Sequence, residues 1–594
     1  MRPSIRARLL RALLVALLAI AALPLPGLAV TRTTLTPTLG ELVGQKLMVA
    51  MAGTAPDAAL LGRVERGEVG GVILFGSNIV SAAQVRSLTT ALRHAASVGG
   101  QPPPLIATDQ EGGSVRRVPW APPTLSPPQL GTLDSATAAR GQGAATGIAL
   151  ACAGIDTDLA PVADVPASSS SFLERQGRTW SSSASVTATL ADAFTTGLED
   201  GHVVPAMKHF PGLGLATRNT DDAVVTITAS KAALMSGLLP YRRAIGHGLP
   251  LVMLSNATYP AYDGANAAGW SHAVGTDLLR GSLGFTGVTM TDSLDGTAAA
   301  RGVSATSLAV RAARAGTDIL LLTGSEASTA ATYASLMSAA SAGTLPRATL
   351  QASYARIRAL KDGLLAPPSD STPPAVTAPV SSLVAGDLLG TSTVPVATSW
   401  SAGDPCGISA TTLERRRDGG AWVVQPGVWA GTRSVDQPLG VAARDEYAVH
   451  EVDGAGNAAT WAYGTTFEPL LAQQTDSHIH YGGPWHTVAD RYASAGSEAA
   501  SNAAGASATF TFSGEAVGWV TARGPDRGQA KVYVDGAYRH TIDLHAATYQ
   551  ARRLAFVQRW SANGGHTLRI VVVGTAGHPR VDVDAFVRLL VTPG

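Results

Sequence analysis

Cysteine is nearly absent from this 594-residue chain: there are two, Cys152 and Cys406, far apart and in segments of different character. A disulfide framework is therefore not expected, and Cys152, inside the apolar run 147–154, reads as a buried free thiol. Charge is also scarce. Charged residues make up 15% of the chain and the formal balance is +1, so neither a basic footprint for nucleic acid nor an acidic tail is present. The expected partner is uncharged or small. Beyond the N-terminus no long uninterrupted apolar stretch occurs, which leaves no membrane span. No Gly-x-Gly-x-x-Gly turn follows an early strand to cradle a dinucleotide, and nothing in the chain calls for a cofactor.

The exception is residues 1–29. Arg2, Arg6, Arg8 and Arg11 precede the apolar run 13–23, which Pro24 and Pro26 break before the small residues Gly27-Leu28-Ala29. This is the pattern of a secretory signal, and the run is too short to favour a spanning anchor. No cysteine stands near the cleavage point to take a lipid. The expected location is extracellular, with a slightly acidic mature chain once those arginines are removed.

A chain of this length should divide into roughly two to four domains. Over residues 40–365, short β-rich runs alternate with Ala/Leu-rich helical patterns, the signature of βαβ units around a parallel sheet. Eight candidate strands lie at 46–51, 71–75, 105–108, 155–159, 203–207, 251–254, 288–291 and 318–322, which suits a (β/α)8, TIM-like barrel better than an open doubly wound sheet. Residues 366–380 hold Pro367, Pro368, Pro373, Pro374 and Pro379 among Ser and Thr and read as a linker. Alternating runs then mark a β-sandwich spacer over 381–470, immunoglobulin-like in kind, and a second β-module over 471–594.

Three strand-like runs end in charge. Ala107-Thr108 leads into Asp109-Gln110-Glu111-Gly112-Gly113, Ala206-Met207 into Lys208-His209-Phe210-Pro211-Gly212, and Met290-Thr291 into Asp292-Ser293-Leu294. Charged side chains at several strand ends are how a barrel enzyme assembles its site. Together with Leu159-Ala160-Pro161-Val162-Ala163-Asp164 and the segment 278–287, these motifs resemble glycoside hydrolase family 3 in order and spacing, and its β-N-acetylhexosaminidase branch in particular.

A retaining glycosidase needs a carboxylate that attacks the anomeric carbon and a proton donor for the leaving oxygen. The resemblance implies that Asp292 is the nucleophile and that Asp109, Arg178, Lys208 and His209 line the terminal sugar pocket, where charged hydrogen bonds discriminate between hydroxyl patterns. Glu111 could orient Asp109 or support the Gly112-Gly113 turn, with Arg116 or Arg117 available to pair with it at the surface.

The chain departs from that branch at one place. The branch usually carries Lys-His-Phe-Pro-Gly-His-Gly followed by Asp-Ser-His, whose histidine is the acid/base; here Leu213 replaces the first histidine and Asn219-Thr220-Asp221 stands at the second motif. A carboxyl can do the same work if burial or a like charge raises its pKa. Asp221, next to Asp222, is the candidate acid/base, and a solvated loop pair is the alternative. The β-glucosidase branch takes its acid from a following α/β sandwich, whereas the segment after 365 is β-rich.

The expected activity is hydrolysis of terminal β-linked N-acetylglucosamine from cell-wall or chitin-like oligosaccharides. Alternatives are another β-sugar such as a glucoside, or a carbohydrate-binding protein with a degenerate barrel. His478, His480 and His486 read as surface residues of a β-module rather than metal ligands. Trp180 and Trp270 are open between stacking on sugar and packing in the core. The last segment loosely resembles jelly-roll, galactose-binding-like modules, which implies attachment to a polysaccharide or cell-wall surface.

Overall fold

The computed structural model describes residues 36–364 and 370–592. The expected leader and residues 366–369 of the expected linker lie outside the described residues. Eight parallel strands form the first half: β1 Leu47–Ala50, β2 Gly71–Leu74, β3 Leu105–Thr108, β4 Thr157–Asp158, β5 Val204–Phe210, β6 Leu251–Leu254, β7 Val288–Thr291 and β8 Leu320–Leu322. They pair in sequence order, β1 pairs back to β8, and a bridge from Met290 to Ile319 closes the ring between β7 and β8. This is the expected barrel.

The strands read as continuous apolar runs because both of their faces are covered. Met48, Ile73, Leu105, Ala107, Met253, Met290 and Leu321 fill the interior of the ring, while their neighbours Leu47, Val72, Ile106, Val252 and Leu320 pack into the shell beneath the helices. Helices Ala82–Val98, Ala136–Cys152, Ala184–Asp200 and Lys231–Gly246 each begin at a serine whose side chain accepts a backbone N–H of the first turn. That cap satisfies a donor the helix cannot satisfy itself. The motif arginine Arg280 serves the barrel rather than a substrate. Buried Asp318 joins its guanidinium at 2.7 Å, Arg356 at 2.7 Å, the Ser353 hydroxyl at 2.7 Å and the Thr289 N–H at 3.0 Å, tying β7 to the chain entering β8.

The second half is antiparallel β-structure. Strand Thr466–Gln473 pairs along its whole length with the last strand, Ala585–Thr592, which in turn pairs with Ser507–Arg523. One sheet therefore runs from the first β-module into the second, and the expected boundary at 470/471 falls inside a strand. Part of the core is shared: Leu413, Tyr447 and Phe467 pack with Val520, Leu554 and Val587. Among the described residues no helix is long and apolar enough to cross a membrane.

The cysteines are not free thiols. Cys152, closing helix Ala136–Cys152, is disulfide-bonded to Cys406 across 254 residues of sequence. The 453–457 turn makes this possible. Asp453 Oδ1 accepts the N–H groups of Ala455 and Asn457 at 2.8 Å each, which sets Ala455 against both cysteines and Gly456 against Ala83, where a Cβ would come within 2.9 Å. A pairing that depends on two domains touching leaves no trace in local spacing. Replacing Asp318 with Ala would strand Arg280 and Arg356, and it should lower stability by about 3–5 kcal/mol, read as a fall in melting temperature.

Candidate active site

At the C-terminal ends of the strands, a cavity of about 200 Å³ is lined by all six residues singled out in the sequence: Asp109, Arg178, Lys208, His209, Asp221 and Asp292. At about 30 Å³ per water it holds the equivalent of roughly seven waters, room for one sugar ring rather than a chain. Apolar side chains of the barrel interior, among them Ile73, Leu159 and Met253, close its floor.

Glu111 organises one wall. It is buried, takes both oxygens to the Arg178 guanidinium at 2.8 Å each, and receives Lys208 Nζ at 2.7 Å. Lys208 Nζ also reaches Asp109 Oδ1 at 2.6 Å. Burial alone would raise the Glu111 carboxyl, but the two cations overcome it and hold it at about 2. Burial likewise opposes the charge on Lys208, and Asp109 and Glu111 raise its pKa nonetheless. Neither Arg116 nor Arg117 pairs with Glu111, contrary to the surface pairing considered from sequence. The Arg116 side chain donates to the carbonyls of Pro119 and Ala121, whereas Arg117 lines the cavity.

His209 is held from behind. Its Nδ1 lies 2.7 Å from Asp164 Oδ2, which also accepts the His209 N–H, while Asp164 Oδ1 takes the N–H of Leu213. Asp164 thus locks both the imidazole and the turn that follows it. Leu213, at the position where the branch pattern has histidine, is buried against the site.

Asp292 follows β7; its N–H donates to the Leu254 carbonyl at 3.1 Å and its Oδ1 accepts the Ser293 N–H at 2.8 Å. Asp221 faces the same cavity. Burial first, then the charges of Asp292 and Asp222, push its carboxyl up to about 6, against the opposing effect of His209. Its Oδ1 is buried without a hydrogen-bond partner among the described residues. Asp222, by contrast, is exposed, so the two adjacent acids are not equivalent. Gly296, on the helix Leu294–Arg301, makes room for this approach: a Cβ there would come within 2.7 Å of Asp221 Cβ.

Three groups at this site escaped sequence reasoning in their roles. Asp164 stood in a recognised run without a role, and Arg117 was placed at the surface. Asp158 lies fully buried at the end of β4, where burial raises its carboxyl to about 8; Asp109 and Glu111 add to the rise, and the Gln110 N–H and Lys208 oppose it. Trp180 and Trp270 are core residues. Trp180 donates Nε1–H to the Val162 carbonyl at 2.8 Å, and the Trp270 ring lies under Arg301 at 5.0 Å. His478, His480 and His486 do not gather into a metal-ligand group. The one group of that kind among the described residues, Asp370, Asp404 and Cys406, has its sulfur in the disulfide.

Residues 38–360 match the Glycosyl hydrolase family 3 N terminal domain. The chain belongs to glycoside hydrolase family 3. An uncharacterized secreted glycosyl hydrolase of Arthroderma benhamiae is 35% identical over 55% of this chain and 94% of its own length. A β-hexosaminidase of Nitrosomonas eutropha is 34% identical over 46% of this chain and 80% of its own. Among solved structures, the β-N-acetylhexosaminidase of Beutenbergia cavernae superposes with a TM-score of 0.52 at 31% identity, covering 55% of this chain and 99% of that one. A family 3 β-N-acetylglucosaminidase of Paenibacillus superposes with a TM-score of 0.54 at 28% identity, over 57% of this chain and 64% of that one. The protein is a glycoside hydrolase of the β-N-acetylhexosaminidase branch, and these likenesses rest on its barrel.

Two substitutions test the geometry. Glu111→Gln leaves Arg178 and Lys208 short of an anion and should lower kcat/KM by roughly 10²-fold or more, at about 1.4 kcal/mol per decade. Gly296→Ala should displace Asp221 from the cavity and lower glycosidase activity, read as a fall in kcat.

Proposed function

We propose that this family 3 enzyme is an exported, retaining exo-glycosidase that removes terminal β-linked N-acetylglucosamine from wall-derived or chitin-like oligosaccharides. The observation that carries this reading is the unlike pair of carboxyls on one sugar-sized cavity: Asp292, set at the end of β7, and Asp221, pushed up to about 6 by burial and by Asp292 itself. A carboxyl raised by burial and by a neighbouring acid is suited to give up a proton to a leaving group, and the second carboxyl on the same cavity is then available to attack.

In the first step the Asp292 carboxylate attacks C1 while protonated Asp221 gives its proton to the glycosidic oxygen, so the C1–O bond breaks and a glycosyl ester of Asp292 forms. In the second, Asp221 takes a proton from water, the resulting nucleophile attacks C1, and Asp292 is released. Asp109, Arg178, Lys208 and His209 bind the hydroxyls of the terminal sugar, with Arg117 also within the lining. Holding the ring in one orientation converts an encounter into an intramolecular reaction. Asp221 thereby takes the place of the histidine that the branch supplies from its Asp-Ser-His loop.

Two observations support export. The Cys152–Cys406 bond joins the barrel to the first β-module, and such bonds persist in oxidising compartments. The relative from Arthroderma is described as secreted.

A panel of nitrophenyl glycosides tests the substrate: turnover of the N-acetylglucosaminide is expected, and turnover of the glucoside alone would overturn the assignment. A fluorinated glycoside should leave a covalent adduct on Asp292; an intact enzyme that acquires none is not retaining by this route. Asp221→Ala should cost roughly 10²–10⁴-fold on poor leaving groups and far less on activated ones, with rescue by azide. Equal losses on both would remove Asp221 from the role. Because the donor must be protonated, kcat/KM on poor leaving groups should fall as pH rises through about 6, the value at which Asp221 loses its proton, and Asp221→Asn should abolish that limb.

A further inference from the structure

The last β-module holds a second cavity, of about 570 Å³, far larger than the one in the barrel. It lies where strands Thr466–Gln473, Ser507–Arg523, Gln550–Val572 and Ala585–Thr592 meet, and its walls combine Leu471 and Phe512 with polar groups from separate elements. Two of those groups are histidines fixed in the same way. His478 Nδ1 is 2.8 Å from Asp476 Oδ1, and His566 Nδ1 is 2.9 Å from Asp535 Oδ2. A carboxylate on Nδ1 fixes the orientation of each imidazole at the cavity wall. The His566 plane is further set by Trp560, stacked on it at 3.8 Å between centroids and 15° between planes. Arg588 donates one N–H to the Ser513 carbonyl at 2.8 Å and brings further donors to the same cavity.

We infer that this cavity is a carbohydrate-binding site, separate from the catalytic one, that holds a β-linked N-acetylglucosamine polymer through His478, His566 and Arg588. Its balance of groups selects against the simpler ligands. Two carboxylates disfavour an anion, and a guanidinium disfavours a cation; among the described residues, no three ligating atoms gather here as a metal would require. Polar side chains held in place over an apolar wall match a pyranose, which presents hydroxyls around its edge and C–H groups on its face. The volume accommodates more than one ring. Bound there, the polymer would keep chain ends near the barrel and raise their effective concentration without contributing to the chemistry.

The choice of polymer rests on the reading of the barrel given above, and the experiment separates the two. The full chain with Asp292→Asn, which cannot digest its support, is mixed with insoluble chitin, a polymer of β-linked N-acetylglucosamine, and with purified peptidoglycan, in which that sugar alternates with N-acetylmuramic acid. The expected result is retention on at least one of them, reduced roughly tenfold or more by His566→Ala and by His478→Ala. The second variant alters an exposed side chain and so reports on the site even if loss of the His566–Trp560 stack unsettles the module. In the Asp292-intact background both variants should hydrolyse a soluble nitrophenyl N-acetylglucosaminide at the parent rate. Equal retention of parent and variants would overturn the inference, as would absence of parent retention on both supports. Histidine-dependent retention without nitrophenyl hydrolysis would leave this cavity standing and remove the proposed activity of the barrel.

Discussion

Glu111 is the constraint on which the site turns. A carboxylate buried to this degree survives only if cations reach it, and Arg178 and Lys208 do so from different parts of the ring, leaving Lys208 to bridge to Asp109. Three segments far apart in sequence are thereby fixed at one mouth of the barrel. The polar groups left facing the cavity are fixed with them, so the wall is preorganised before anything binds. Asp164 does the same for His209 and for the turn through Leu213.

Against that rigid wall, the opposite side of the cavity is an electrostatic contrast. Asp221 is raised because it is partly buried and faces Asp292, and a glycine at 296 lets it come close enough for that to matter. A histidine reaches a pKa suited to proton transfer with little help; an aspartate needs an environment that penalises its charge. The departure from Asp-Ser-His therefore asks more of the surrounding fold if Asp221 is the donor we propose, and its packing against the helix after β7 supplies such an environment.

The β-half is bound to this barrel by a covalent link and by a sheet that does not stop at the expected module boundary. Strand Thr466–Gln473 belongs to both β-modules, and the Cys152–Cys406 bond anchors the first to the barrel's outer helices. The C-terminal half is thus a continuous attachment rather than a string of beads, and the cavity lined by His478 and His566 lies on the far module.

The strand positions, the barrel and the set of charged residues at strand ends were legible in the chain because they are local: apolar runs of strand length, Ala/Leu-rich helical patterns between them, and acids or cations at the end of a run. The same locality made Asp109, Lys208, His209 and Asp292 candidates by motif, and Asp221 by its register with a missing histidine, and all five line one cavity. What the chain alone could not decide depends on contacts between distant segments. Glu111 finds Arg178 and Lys208 rather than its neighbours Arg116 and Arg117. Asp221 and Asp222, adjacent and chemically identical, differ because one is turned into the cavity and the other into solvent. Cys152 meets Cys406 only after the barrel and the first β-module have docked. Sequence determines which groups are available, and burial in the folded chain determines which of them are charged, paired or poised to give up a proton.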